Sequence, residues 1–132
     1  MIMAVTLDTQ AARLLAEIGF LGISRGLAEP SEVVFMALRR VRPDDEAPAI
    51  GLAMVALAQG APDRAVAALR HARQSEAVLA FRSMAHAQIG EREIAEDLLA
   101  ELEVGNAAEH LIEIARDALQ TAAQPSALRL GR

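Results

Sequence analysis

The chain has 132 residues, of which 53% are hydrophobic and only 2% aromatic, with 13 Arg, no Lys and a net charge of -5. That length suits one domain with a core of its own, and an Ala- and Leu-dominated palette poor in aromatics favours close-packed helices over sheet. The absence of Cys excludes disulfides and thiolate metal sites, and an acidic balance argues against a phosphate-backbone partner.

In chain order, Met1 to Leu7 is apolar but has no basic leader and stops at Asp8, so no secretion signal is read there. Asp8 or Thr9 caps a first helix whose apolar stripe is Leu14, Leu15, Ile18 and Leu21. Gly19, Gly22 and Gly26 weaken this helix by up to about 1 kcal/mol each relative to Ala, and imply close approach by another helix. Ser31 reads as the N-cap of a second helix with the stripe Val33, Val34, Ala37, Leu38 and Val41, ended at Pro43-Asp44-Asp45. A third helix runs from about Ala47 to Gln59, and a fourth opens at Ala61-Pro62-Asp63 with Ala65, Val66, Leu69 and Ala72 inward. Ser75 caps a fifth, about Glu76 to Ile89, and Glu91 opens a sixth that closes at Gly105-Asn106. A seventh covers about Ala107 to Gln120, and Gln124-Pro125-Ser126 begins a tail.

The third to sixth helices repeat. Gly60 and Gly90 are 30 residues apart, as are Met54 and Met84, Ala65 and Ala95, and Leu69 and Leu99. A helix-turn-helix unit at this period predicts stacked hairpins, because one short hairpin cannot bury both its faces alone. Gly26 extends the register to the first pair, with Val34 and Leu38 as its second-helix equivalents. The expected fold is an all-α solenoid of antiparallel hairpins with about seven helices, a single domain over residues 1–132 with flexible ends at 1–7 and 121–132.

A small residue near the middle of each first helix (Gly19, Ala53, Ser83), a Gly at the turn, then Ala and a large apolar residue four later resembles the tetratricopeptide repeat (TPR), without that family's aromatic positions. The element order, the short length and the phrase Leu-Arg-Arg-Val-Arg-Pro over 38–43 before an acidic linker are similar to the small TPR-like chaperones of bacterial type III secretion, the YscG-type needle-subunit chaperones above all. That resemblance covers roughly residues 10–120. It implies a cytoplasmic chaperone that keeps a small polymerising needle subunit soluble before export, together with a second small co-chaperone in some systems.

In such a hairpin stack the first helices line the concave face. Six residues before each turn Gly stand Phe20, Met54 and Met84, and the next step reaches Ile114, with Ile23, Ile50 and Leu57 beside them. These seven side chains are the expected groove for a helical protein segment. The core alternative is that apolar residues at helical spacing are buried. The apolar arm Met1 to Val5 and the glycine-spaced first helix form a second surface, open to a partner or a second copy. The acidic stretch 91–117 reads as a solvated helix face, and Arg39, Arg40 and Arg42 as charges stabilising a helix C-terminus.

The sequence offers no chemistry to set against this. His71, His86 and His110 lack metal-ligand spacing, although His86 and His110 fall on first helices where they would rim the groove. No phosphate-binding lysine or nucleophile elbow exists, and the carboxylate pairs lie on a solvated face. The expectation is therefore no catalytic residues, no cofactor, no metal, no nucleic acid and no membrane. The alternative function is a generic TPR-like interaction adaptor or self-associating dimer without a secretion role.

Overall fold

The computed structural model describes residues 7–122. They are all-helical, with seven helices and no strand among them: α1 (Thr9–Ser24), α2 (Ala28–Val41), α3 (Glu46–Ala58), α4 (Pro62–Arg70), α5 (Glu76–Ile89), α6 (Arg92–Val104) and α7 (Glu109–Ala122). The expected flexible ends and the apolar arm fall mostly outside the described residues. Leu7 does not: its carbonyl accepts a hydrogen bond from Arg42 Nη1 at 2.9 Å. Nor do Thr121 and Ala122, which continue α7.

The turns explain the repeat. Gly26, Gly60 and Gly90 all have left-handed backbone, φ +79°, +74° and +98°, a conformation that costs a residue with a Cβ about 1–2 kcal/mol. Beyond each of them the next amide donates back across the turn, Leu27 to Gly22, Ala61 to Ala56 and Glu91 to His86, at 2.8, 2.9 and 2.9 Å. This is the Schellman closure, which satisfies carbonyls the helix end leaves without partners. The turn after α6 is built the same way, with Ala107 donating to Leu102 at 3.0 Å, but there the left-handed residue is Asn106 (φ 56°) and not Gly105. Helices α1, α3 and α5 start on side-chain caps instead: Asp8 accepts from the Ala11 amide at 2.7 Å, Asp45 from Ala47 at 3.1 Å and Ser75 from Val78 at 3.2 Å.

By backbone contact the chain divides into two compact units, the first ending at Arg73 and the second beginning at Gln74. In the first, α1 and α2 form a hairpin and α3 packs against both, with α4 closing on α3. Its core is Ala12, Ala16, Phe35, Leu38 and Leu52. Phe35 is fully buried, held between helices at two glycines: a Cβ on Gly19 would come within 2.6 Å of its ring, and one on Gly51 would overlap it. A Cβ on Gly22 would collide with the hydroxyl of Ser31, which donates to the Gly19 carbonyl at 2.7 Å. The glycines of α1 thus let α2 approach closely, as their spacing implies.

Two expected stripes are corrected by this packing. On α1 the buried face is Ala12, Ala16 and Gly19, while Leu14, Ile18 and Leu21 point to solvent. On α2 the buried residues are Ser31, Phe35 and Leu38, and Val33 and Ala37 are exposed. Close approach of three helices selects small residues for the contact, so bulk on α1 has no room inside. Ser31 is not the N-cap of α2 either; the helix starts at Ala28, and Ser31 is spent on the interhelical bond.

In the second unit, α5 and α6 form a hairpin and α7 packs on both. Ala80, Leu102, Ala107, Leu111, Ile112 and Ala115 make one core cluster, and Ala87, Ala95 and Leu119 another. Ser83, fully buried, donates to the Ala95 carbonyl at 2.9 Å and ties α5 to α6. Ser83→Ala is expected to lower stability by about 0.5–1.5 kcal/mol, read as a shift in the urea midpoint at unchanged slope.

Candidate functional site

A hollow of about 800 Å3, open to solvent, lies in the first unit against α1, the α2–α3 connection and the start of α3. Its floor is built from small residues. Ala12 and Ala16, one turn apart on α1, and Ala47 in the first turn of α3 leave no side-chain bulk between the helices, and Phe20 stands at one side. Phe20 is half-buried, its ring tilted 55° against that of Phe35 with 4.8 Å between centroids. A fixed aromatic wall beside an alanine floor can receive a bulky apolar side chain.

The rim is charged with both signs: Arg13, Arg42 and Arg73 against Glu17, Asp44, Asp45 and Glu46. Arg42 is held from two sides, donating to the Leu7 carbonyl and lying 3.6 Å from Asp45. Arg39 and Arg40 occupy the last turn of α2, where cations oppose the helix dipole, so the basic cluster of the sequence divides between a helix end and the rim. No His, Ser or Cys lines the hollow, and among the described residues no group of three His, Cys, Asp or Glu is placed to hold a metal ion.

Of the seven expected groove residues, only Phe20 lines this hollow. Ile23 is half-buried and packs, like Phe20, on the core of the first unit. Met54 and Leu57 are half-buried on α3. Ile50 is a correction: it is 8% exposed and belongs to the interior. The reason is that α3 buries eight of its residues, from Pro48 to Ala56, and offers no open face at that position. Met84 and Ile114 belong to the second unit and are both half-buried, Ile114 packed onto the cluster around Ala80 and Leu102. His86 is also corrected. It is buried, with Nδ1 2.7 Å from Glu91 Oε1, and so it bridges the ends of the Gly90 turn instead of rimming a groove; His110 is exposed.

The floor and rim were not found from the sequence. The signal for the floor was present as Ala12, Ala16 and Gly19 at helical spacing, a small-residue face opposite the bulky one. The rim had none, because Arg13, Glu17, Asp44 and Arg73 look like ordinary surface charges until the fold gathers them. Comparison with known proteins gives no family model, no curated protein and no solved structure that matches the chain.

Proposed function

We propose that the chain is a TPR-like helical-repeat protein that binds a helical segment of another protein and performs no catalysis, and that it serves as a cytoplasmic type III secretion chaperone for a needle subunit. The observation that carries the binding reading is the hollow against α1 and α3, with its alanine floor, its Phe20 wall and a rim of both charges. An amphipathic helix supplies what that shape takes: a large apolar side chain for the floor and charged residues on either side for the rim. Support for the repeat reading comes from the three left-handed glycines at the hairpin turns and from the same packing in both units, a hairpin with the following helix laid on both its members. The secretion assignment rests on the resemblance of the 38–43 phrase and the element order. Among the described residues no helix is long and apolar enough to cross a membrane.

The test is co-expression with a candidate needle subunit followed by size exclusion. The wild-type chain should bring the subunit into a soluble 1:1 complex, or 1:1:1 with a co-chaperone. Ala47→Arg drops a long side chain into the hollow from a half-buried position in the first turn of α3, and should abolish the complex while leaving the far-UV helix signal intact. Equal binding by Ala47→Arg would remove the hollow from the mechanism. A chain that ignores every such subunit would favour the adaptor reading.

A further inference from the structure

The chain enters α1 beside the hollow. Leu7, the residue before the Asp8 cap, is half-buried against the core cluster that contains the floor residues Ala12 and Ala16. Its carbonyl accepts from Arg42 Nη1, on the rim, at 2.9 Å. An apolar residue packed back onto the first turns of a helix acts as a staple, which fixes the angle at which the chain arrives. Two contacts therefore pin the root of the preceding segment at the hollow's edge. That segment, Met1 to Thr6, has no charged side chain, and all of it but Thr6 is apolar.

We propose that Met1 to Val5 fold back into the hollow and occupy it in the free chain. Such an occupant presupposes a hollow that takes apolar side chains, the premise of the proposed function. Reach permits it: Ala16 lies about 10 Å and Phe20 about 16 Å beyond Thr9 along α1, and five extended residues span about 17 Å. Bulk fits as well, since Ile2, Met3 and Val5 supply the side chains that the alanine floor lacks, and Met adapts to an irregular wall. The rim carries charges of both signs, and an uncharged segment brings no ion to be desolvated among them. Tethering then decides between this segment and one from another molecule. A short flexible link raises the local concentration to about the millimolar range, far above that of a separate chain in micromolar solution.

The chain has no Cys, so a reporter pair can be introduced cleanly. With Met3→Cys, the second Cys replaces either Glu17, exposed on the rim, or Ile18, next in sequence and 50% exposed on the side of α1 away from Ala12 and Ala16. The two positions stand at the same height on the helix and differ in the face they occupy. At about 5 µM and without client, the Glu17→Cys pair should close its intramolecular disulfide about tenfold faster or more, because the bond needs Cα atoms within about 7 Å. Adding Ala47→Arg, which fills the hollow, should bring the two rates together. In the Cys-free chain, Ile2→Ser with Val5→Ser should raise the fluorescence of the neutral apolar dye Nile red about threefold or more by uncovering the floor, and Ala47→Arg should cancel that rise. Equal rates at positions 17 and 18, disulfide-linked dimers in place of the internal bond, rates indifferent to Ala47→Arg, or a dye signal unchanged by the polar segment would each overturn the proposal. None of these readouts contains a client, so a chain that fails only in co-expression loses the chaperone role and keeps its occupied hollow.

Discussion

Phe35→Ala is expected to lower the stability of the first unit by about 3–5 kcal/mol, the largest single effect in that unit. The ring is fully buried and meets α1 at Gly19 and α3 at Gly51, so its removal leaves a space bounded by backbone, which relaxes poorly. Gly51→Ala approaches the same contact from the other side. Helix propensity alone would make that change stabilising by about 1 kcal/mol. The added Cβ overlaps the Phe35 ring, however, and overpacking of a fixed core costs about 1–3 kcal/mol, so the expected sign is reversed. Combining Gly51→Ala with Phe35→Leu should recover part of the loss, a non-additivity measurable by chemical denaturation of the four variants. If Gly51→Ala stabilises the protein, the ring is not clamped as described.

In the second unit, Leu102→Ala should cost about 2–5 kcal/mol, a large share of the roughly 5–15 kcal/mol that holds a domain folded. Leu102 is 2% exposed within the cluster of Ala80, Ala107, Leu111, Ile112 and Ala115, where α5, α6 and α7 meet. Three of those five neighbours are alanine, which has no side-chain length to fall into the gap. Val104, two residues further along α6, is 84% exposed, and Val104→Ala should change stability by no more than about 0.5 kcal/mol. Thermal unfolding of the two variants separates the readings: similar melting temperatures would mean that Leu102 is not a core residue.

The sequence by itself determined the helices and most of their ends, the start of α2 excepted. Seven elements, the three left-handed glycines 26, 60 and 90, the caps at Asp8 and Ser75, and the small buried positions Gly19, Ala53 and Ser83 all follow from local chemistry, because a turn glycine or a capping hydroxyl acts on backbone only a few residues away. Which face of each helix turned inward was decided by the tertiary structure. Apolar bulk points to Leu14, Ile18 and Leu21 as the core stripe of α1, yet the interior took Ala12, Ala16 and Gly19, since three helices meeting around one phenylalanine ring leave space only for small side chains. The same competition buried Ile50, turned Val33 outward and drew Ser31 from a cap to an interhelical bond. The hollow was equally a product of packing: its alanine floor and its rim charges lie as far apart in sequence as Ala12 and Arg73, and periodicity along one helix carries no record of what another helix brings beside it.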